Sequence, residues 1–136
     1  MRSSAYLLFN GQCEEAFKFY EQCFGAKINA IMHFDGSPAE QHSPPEMKKK
    51  VLHACISIGD TLLMASDCPP DQYAKPQGIS VSLEIDDPAK AERVFSELAK
   101  GGTVTMPIQQ TFWAHRFGMA TDRFGIPWMV NCEKAA

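Results

Sequence analysis

No CxxC pair occurs anywhere in the 136 residues, and the five cysteines, Cys13, Cys23, Cys55, Cys68 and Cys132, are odd in number. That pattern offers neither a disulfide framework nor a zinc ribbon, so reduced thiols, mostly buried as small hydrophobes, are expected. Dense positive charge is missing too: 13 Lys and Arg against 16 Asp and Glu leave a net charge of -3, and the one basic run, Lys48-Lys49-Lys50, reads as a solvated surface segment. Counterion release therefore has no source, and nucleic acid is excluded as a partner. No apolar run approaches a membrane span, and that of the opening MRSSAYLLFNG is too short for a signal segment, so a cytoplasmic, membrane-free protein is expected. Also absent are GxSxG, HExxH, a P-loop and a glycine-rich strand-to-helix turn. Their absence removes the hydrolase, metalloprotease, NTPase and nucleotide-cofactor readings.

What is present is an internal echo. FNGQCEEAFKFYEQCFGAKI (9–28) lies on IDDPAKAERVFSELAKGGTV (85–104) at an offset of 76, without a gap, placing Phe9 on Ile85, Phe19 on Phe95 and Gly25 on Gly101. Each copy ends a strand, turns, runs an amphipathic helix and stops at a glycine suited to the left-handed C-cap. Cys13, Ala16, Phe17, Tyr20 and Phe24 recur at helical spacing in the first copy, and Ala91, Val94, Phe95 and Leu98 in the second. Asp87 is positioned as a cap with Pro88 in the first turn. Strands follow each helix: KINAIMHF, then VLHACISIG joined through Gly59-Asp60 to TLLMASD; and GTVTMPIQ, then HRFGMATD joined to IPWMVNC. The chain therefore reads as one α+β domain of two β-α-β-β-β modules, at about 1–67 and 78–136, with a proline-marked linker at about 68–77. Two curved mixed sheets of this kind are expected to enclose a central cavity.

Strand alternation then assigns faces. In GISVSLEIDDP (78–88), Ile79, Val81, Leu83 and Ile85 belong under a helix and Ser80, Ser82 and Glu84 on the opposite, cavity-lining face. The same rule puts Leu7 and Phe9 under the first helix with Ser4, Tyr6 and Leu8 opposite. In the third strand, Leu52, Ala54, Ile56 and Ile58 go under the helix, with His53, Cys55 and Ser57 opposite. Such a mixed polar and apolar wall suits a small-molecule site.

Two residues are candidates for chemistry. Glu84, a carboxylate among serines and apolar walls, has the placement of a general base for proton abstraction beside a carbonyl, against the alternative of a solvated rim. His115, in FWAHRFG between aromatics, has the makings of a ligand contact, general acid or interface residue. His53 and Cys55 are side by side at i and i+2, which favours wall residues over a nucleophile–base pair. Trp113 offers a flat wall for an organic ligand or an interface anchor. His33, Asp35, Glu40 and His42 are metal-binding types, but their spacing fits no standard motif, and Gly36 and Pro38 mark a solvated loop.

The module pattern, together with HACISIGDTLLMASD and QQTFWAHRFGMATDRFGIPWMVN, resembles the glyoxalase/bleomycin-resistance (vicinal oxygen chelate) superfamily and its PhnB-like group. Trp113-Ala114-His115 followed by Gly118, Asp122, Phe124, Gly125 and Trp128 carries the resemblance most specifically. It implies a homodimer that binds small molecules. It also implies, for enzymes of the superfamily, a divalent metal held by residues from the first and fourth strand of each module. The first-strand positions fall on Ser4 and Ser80 and the fourth-strand positions near Met64 and Val130, none a competent ligand; a shift of one or two residues brings in Asp67 or Asn131 but not three ligands at once, so no cofactor is expected and a metal is disfavoured. By this resemblance the leading expectation is a dimer binding a small organic molecule in a metal-free pocket lined by Tyr6, His53, Cys55, Ser80, Ser82, Glu84 and Trp113. The alternative is a lyase or isomerase using Glu84 or His115 as a base, with or without a weakly held ion. Register in the last strand is left open by Pro127, so Trp128 is free to face either side.

Overall fold

The two expected helices form where the apolar stripes place them. A computed structural model of the protein describes residues 1–133, and the chain divides into two compact units, Met1–Ala74 and Lys75–Ala136. The first contains β1 (Ala5–Phe9), α1 (Cys13–Phe24), β2 (Lys27–His33), β3 (Val51–Ile58) and β4 (Thr61–Asp67). The second contains β5 (Val81–Glu84), α2 (Pro88–Leu98), β6 (Thr103–Gln109), β7 (Ala114–Thr121) and β8 (Pro127–Glu133). Each unit has one four-stranded mixed sheet, ordered β1-β4-β3-β2 in one and β5-β8-β7-β6 in the other. In both, the first and last strands pair in parallel and the remaining pairs are antiparallel. The two copies of the sequence grammar thus fold to one topology.

α1 buries Cys13, Ala16, Phe17, Phe19, Tyr20 and Cys23, and α2 buries Ala91, Val94, Phe95 and Leu98. The sheet faces beneath them supply Phe9, Ala54, Ile56, Leu63 and Ala65 in the first unit, and Leu83, Ala120, Trp128, Val130 and Cys132 in the second. Phe9 meets Phe17 edge to face at 6.4 Å, an arrangement aromatic pairs favour. The helices start differently. Asp87 caps α2, its carboxylate accepting from the Ala89 and Lys90 amides, with Pro88 in the first turn. α1 has no local side-chain cap; instead Asp67, at the end of β4, accepts from the Cys13 amide through Oδ1 and from the Val51 amide through Oδ2, both at 2.9 Å. Gly25 closes α1 at φ +67°, the left-handed region where a side chain would be strained.

Trp128 belongs to the helix side and is 1% exposed. Its indole N–H donates to Asp122 Oδ2 at 2.8 Å, while Oδ1 accepts from the Phe124 and Ile126 amides. The Asp122-to-Trp128 part of the family motif is therefore a structural clasp on the β7–β8 turn. Gly118 is required by packing: a Cβ there would sit 2.8 Å from Phe95 Cε2 and 2.9 Å from Ile108 Cα.

One expectation is corrected. Ile79 does not lie under α2 but is 76% exposed, and β5 starts only at Val81, leaving Ser80 before the strand. Val81 pairs with Trp128, so extending the ladder to Ile79 would require Ile126, whose N–H is already given to Asp122. Pro127, between them, has no N–H to offer. Val130, near which the resemblance places a metal position, is fully buried on the helix side with Trp128 and Cys132.

The segment 35–47 forms two short 3-10 turns, Pro38–His42 and Pro45–Met47. His33 leads into it and is tied back to α1: its Nε2 lies 2.7 Å from Glu14 Oε1, and Lys18 lies 3.0 Å from the other oxygen. Hydrogen bonds from His33 and then from Lys18 hold the Glu14 carboxyl below its ordinary range. A carboxylate lowered on folding adds stability at pH above its unfolded-state value, and that stability is lost as pH falls through the lowered value. The urea midpoint of E14Q is accordingly expected to lie below wild type at pH 7 and to converge with it on acidification. A gap independent of pH would contradict this.

Candidate functional site

On the face of the first sheet away from α1, Tyr6 and His53 meet, with the phenol oxygen 3.0 Å from His53 Nδ1. The β1-β4-β3 register sets Tyr6, Met64 and Cys55 in one row across the sheet. Asn29, from β2, donates to Ser57 Oγ at 2.6 Å. Tyr6, Leu8 and Met32 are each about half exposed. Alternation had aimed Tyr6, His53 and Cys55 to this face, and they lie on it, with Tyr6 and His53 in contact.

The second sheet gathers a different set. Across β5 and β8 Glu84 pairs with Asn131, and across β7 and β8 Phe117 pairs with Asn131, so these three side chains share the face away from α2. Glu84 is held by two donors: Ser82 Oγ reaches Oε1 at 3.3 Å, and Asn131 Nδ2 reaches Oε2 at 2.8 Å. Beside them opens a cleft of about 500 Å³ whose polar lining is Glu84, Asp86, His115, Asn131 and Glu133. Ile85 and Pro88 complete it as apolar wall.

His115 reaches this cleft through a bulge. Ala114 pairs with Glu133 and Arg116 with Cys132, so His115 is the extra residue on β7. Bulges commonly re-aim a side chain in this way. Arg116 turns to the other face, where its Nε donates to Glu92 of α2 at 2.9 Å. Trp113 precedes β7 in a turn fixed by Thr111, whose Oγ1 accepts from the Trp113 and Ala114 amides. Its ring packs edge-on against Phe117 at 5.4 Å, and Phe112 packs edge-on against Trp113 at 4.8 Å.

The expected site residues therefore fall into two groups. Ser82, Glu84 and His115 come together in the second unit, with Trp113 reached through Phe117; Tyr6, His53 and Cys55 come together in the first. Of the expected residues of this unit only Glu84 and His115 line the cleft; Ser80, Ser82 and Trp113 are not among its lining residues. The sequence reading missed Asp86, Glu133 and the full part played by Asn131. One signal would have found the last two: if Trp128, Val130 and Cys132 form the buried parity of β8, Met129, Asn131 and Glu133 must form the other.

A superfamily metal fits these residues poorly. The facing rows pair Tyr6 with Met64, Ser82 with Met129 and Glu84 with Asn131. Only Glu84 among them is a usual divalent ligand, and one such ligand does not hold an ion. Among the described residues no three His, Cys, Asp or Glu side chains converge as a metal site. A second cleft, of about 640 Å³, lies in the first unit between Phe34, His42, Met47 and the Pro69-Pro70 segment. It includes none of the expected site residues. Among the described residues no helix is long and apolar enough to cross a membrane.

Comparison with known proteins agrees with this topology. The model of the Glyoxalase/Bleomycin resistance protein/Dioxygenase superfamily matches residues 2–130. Protein YjdN of Escherichia coli is 34% identical, with 98% of this chain and 97% of that protein covered. The crystal structure of PA1353 from Pseudomonas aeruginosa superposes with a TM-score of 0.90 at 47% identity, covering 99% of each chain. The PhnB protein from Bacillus cereus superposes at 0.82 with 23% identity, covering 97% of this chain and 99% of that one, a likeness of fold.

Proposed function

The chain belongs to the Glyoxalase/Bleomycin resistance protein/Dioxygenase superfamily, and from that premise we propose that it binds a small organic molecule in the second-unit cleft without a resident metal. The observation carrying this reading is the convergence of Glu84, His115 and Asn131 on one cleft, with Glu84 fixed by Ser82 and Asn131. Apolar wall with a few oriented polar groups is the composition of small-molecule sites. Homodimer formation and a cytoplasmic location belong to the same proposal. The Tyr6–His53–Cys55 cluster is proposed as a second ligand-contact surface, with Trp113 as an aromatic wall.

A second reading, a lyase or isomerase with Glu84 or His115 as general base, draws on the presence of both groups in one lining. Binding is favoured because Glu84 accepts one hydrogen bond on each oxygen, from Ser82 and Asn131, which fixes its carboxylate while leaving further lone pairs for a ligand donor.

Two measurements test this. Protein purified without an affinity tag is expected to carry no stoichiometric metal; stoichiometric metal that disappears in E84A and H115A would overturn the metal-free reading. In a thermal-shift screen of small metabolites, a ligand at a hundred times its dissociation constant should add about 2.7 kcal/mol of stability. That gain should shrink in the same variants, and an unchanged gain would place the binding elsewhere.

A further inference from the structure

We propose that the second-unit cleft selects an organic cation, a protonated or quaternary amine attached to an apolar or aromatic group. This rests on the reading that the cleft is a small-molecule site and adds the chemical class of its ligand.

Charge is the first argument. Three carboxylates, Glu84, Asp86 and Glu133, line the cleft, and no Lys or Arg is among its described lining residues. The nearby guanidinium of Arg116 is committed to Glu92 on the helix side, with its Nη1 donating to the His115 carbonyl at 2.6 Å. An anionic ligand would meet carboxylates on several sides, and a neutral one would gain nothing from them.

The second argument is a missing donor. Asn131 turns its amide N–H group to Glu84; reversing the amide would set two oxygens against each other, so its orientation is fixed. Its Oδ1 is left buried with no hydrogen-bond partner among the described residues. A buried acceptor without a donor is costly, and an ammonium N–H approaching Glu84 is the kind of group this corner lacks.

The third argument is aromatic. Phe117 stands directly across the ladder from Asn131, and Trp113 packs on it, with the Trp113 side of this pair 46% exposed. Neither ring is among the cleft's described lining residues; they lie next to it on the same sheet face, beyond Asn131, and so offer a flank for the ligand's apolar group. A bare divalent ion would use neither the rings nor the apolar wall.

The test is calorimetric titration of the full-length chain with benzylamine, benzyl alcohol and benzoate, three ligands of like size bearing positive, no and negative charge. Benzylamine is expected to bind about tenfold more tightly than benzyl alcohol, with benzoate weakest, and added salt should narrow the gap. E84Q, a near-isosteric change at an exposed strand position, should remove most of the preference for the amine. W113A should weaken benzylamine roughly threefold or more, with folding of both variants checked by circular dichroism. Equal binding of alcohol and amine, or benzoate binding tightest, overturns the cation proposal and leaves the small-molecule reading standing. Failure of all three to bind overturns the cation proposal, and a blank screen of neutral and anionic metabolites as well would remove the underlying reading.

Discussion

Replacing Asp122 by Ala is expected to destabilise the protein by about 4 kcal/mol, a large share of the stability of a domain this size. Asp122 is 3% exposed, and its two oxygens satisfy the Phe124 and Ile126 amides and the Trp128 indole N–H. Alanine would orphan three donors in a buried place, each worth about 1–3 kcal/mol, with some loss recovered where the turn opens to water. D122N retains one acceptor oxygen and should lose roughly half as much. Urea unfolding of the three proteins decides the matter, and a loss below about 1 kcal/mol in D122A would show that the clasp is incidental.

Removal of the Asp67 carboxylate is the next largest effect, about 3 kcal/mol for D67A. Here two elements are joined: the first amide of α1, on Cys13, and the first amide of β3, on Val51, depend on one side chain that is 4% exposed. α1 has no cap of its own to take over. The loss should therefore be larger than for D87A, whose cap lies at an exposed position with water available to replace it. Burial first, and the Asp67 charge second, push the Cys13 thiol far up, so native Cys13 should resist alkylation and become reactive in D67A as the start of α1 opens. Equal losses in D67A and D87A, with Cys13 still inert, would contradict this account.

These two aspartates show what sequence periodicity can and cannot reveal. The helical stripes at Cys13, Ala16, Phe17, Tyr20 and Phe24, and at Ala91, Val94, Phe95 and Leu98, were readable because burial selects one face of a helix, and all are buried except Phe24, which is half-buried at the end of α1. The Gly59-Asp60 turn and the β4 segment TLLMASD were readable from local turn and strand chemistry, and Ile58 pairs with Thr61 across that turn. Asp67 and Asp122 were not readable as structural anchors, because their partners are backbone amides up to 54 residues away or amides and an indole N–H gathered around an irregular turn. Ile79 misled because alternation has no means of sensing that Pro127 and the Asp122 turn end the neighbouring ladder. In the site, Glu84 and His115 stood out by residue type, and the structure sets both in one cleft lining. Asn131 and Glu133 did not, since their placement depends on the parity of β8, which Trp128 and its bond to Asp122 decide, and Asp86 did not because it lies past the end of β5, where alternation no longer applies.

Amide chemical-shift mapping on isotope-labelled, metal-stripped, full-length protein tests the central claim most directly, using whichever compound gives the largest thermal shift. The account predicts saturable perturbations centred on Glu84, His115 and Asn131, unchanged when a chelator is present. Perturbations confined to other residues, or binding that appears only after a divalent ion is added, would contradict it.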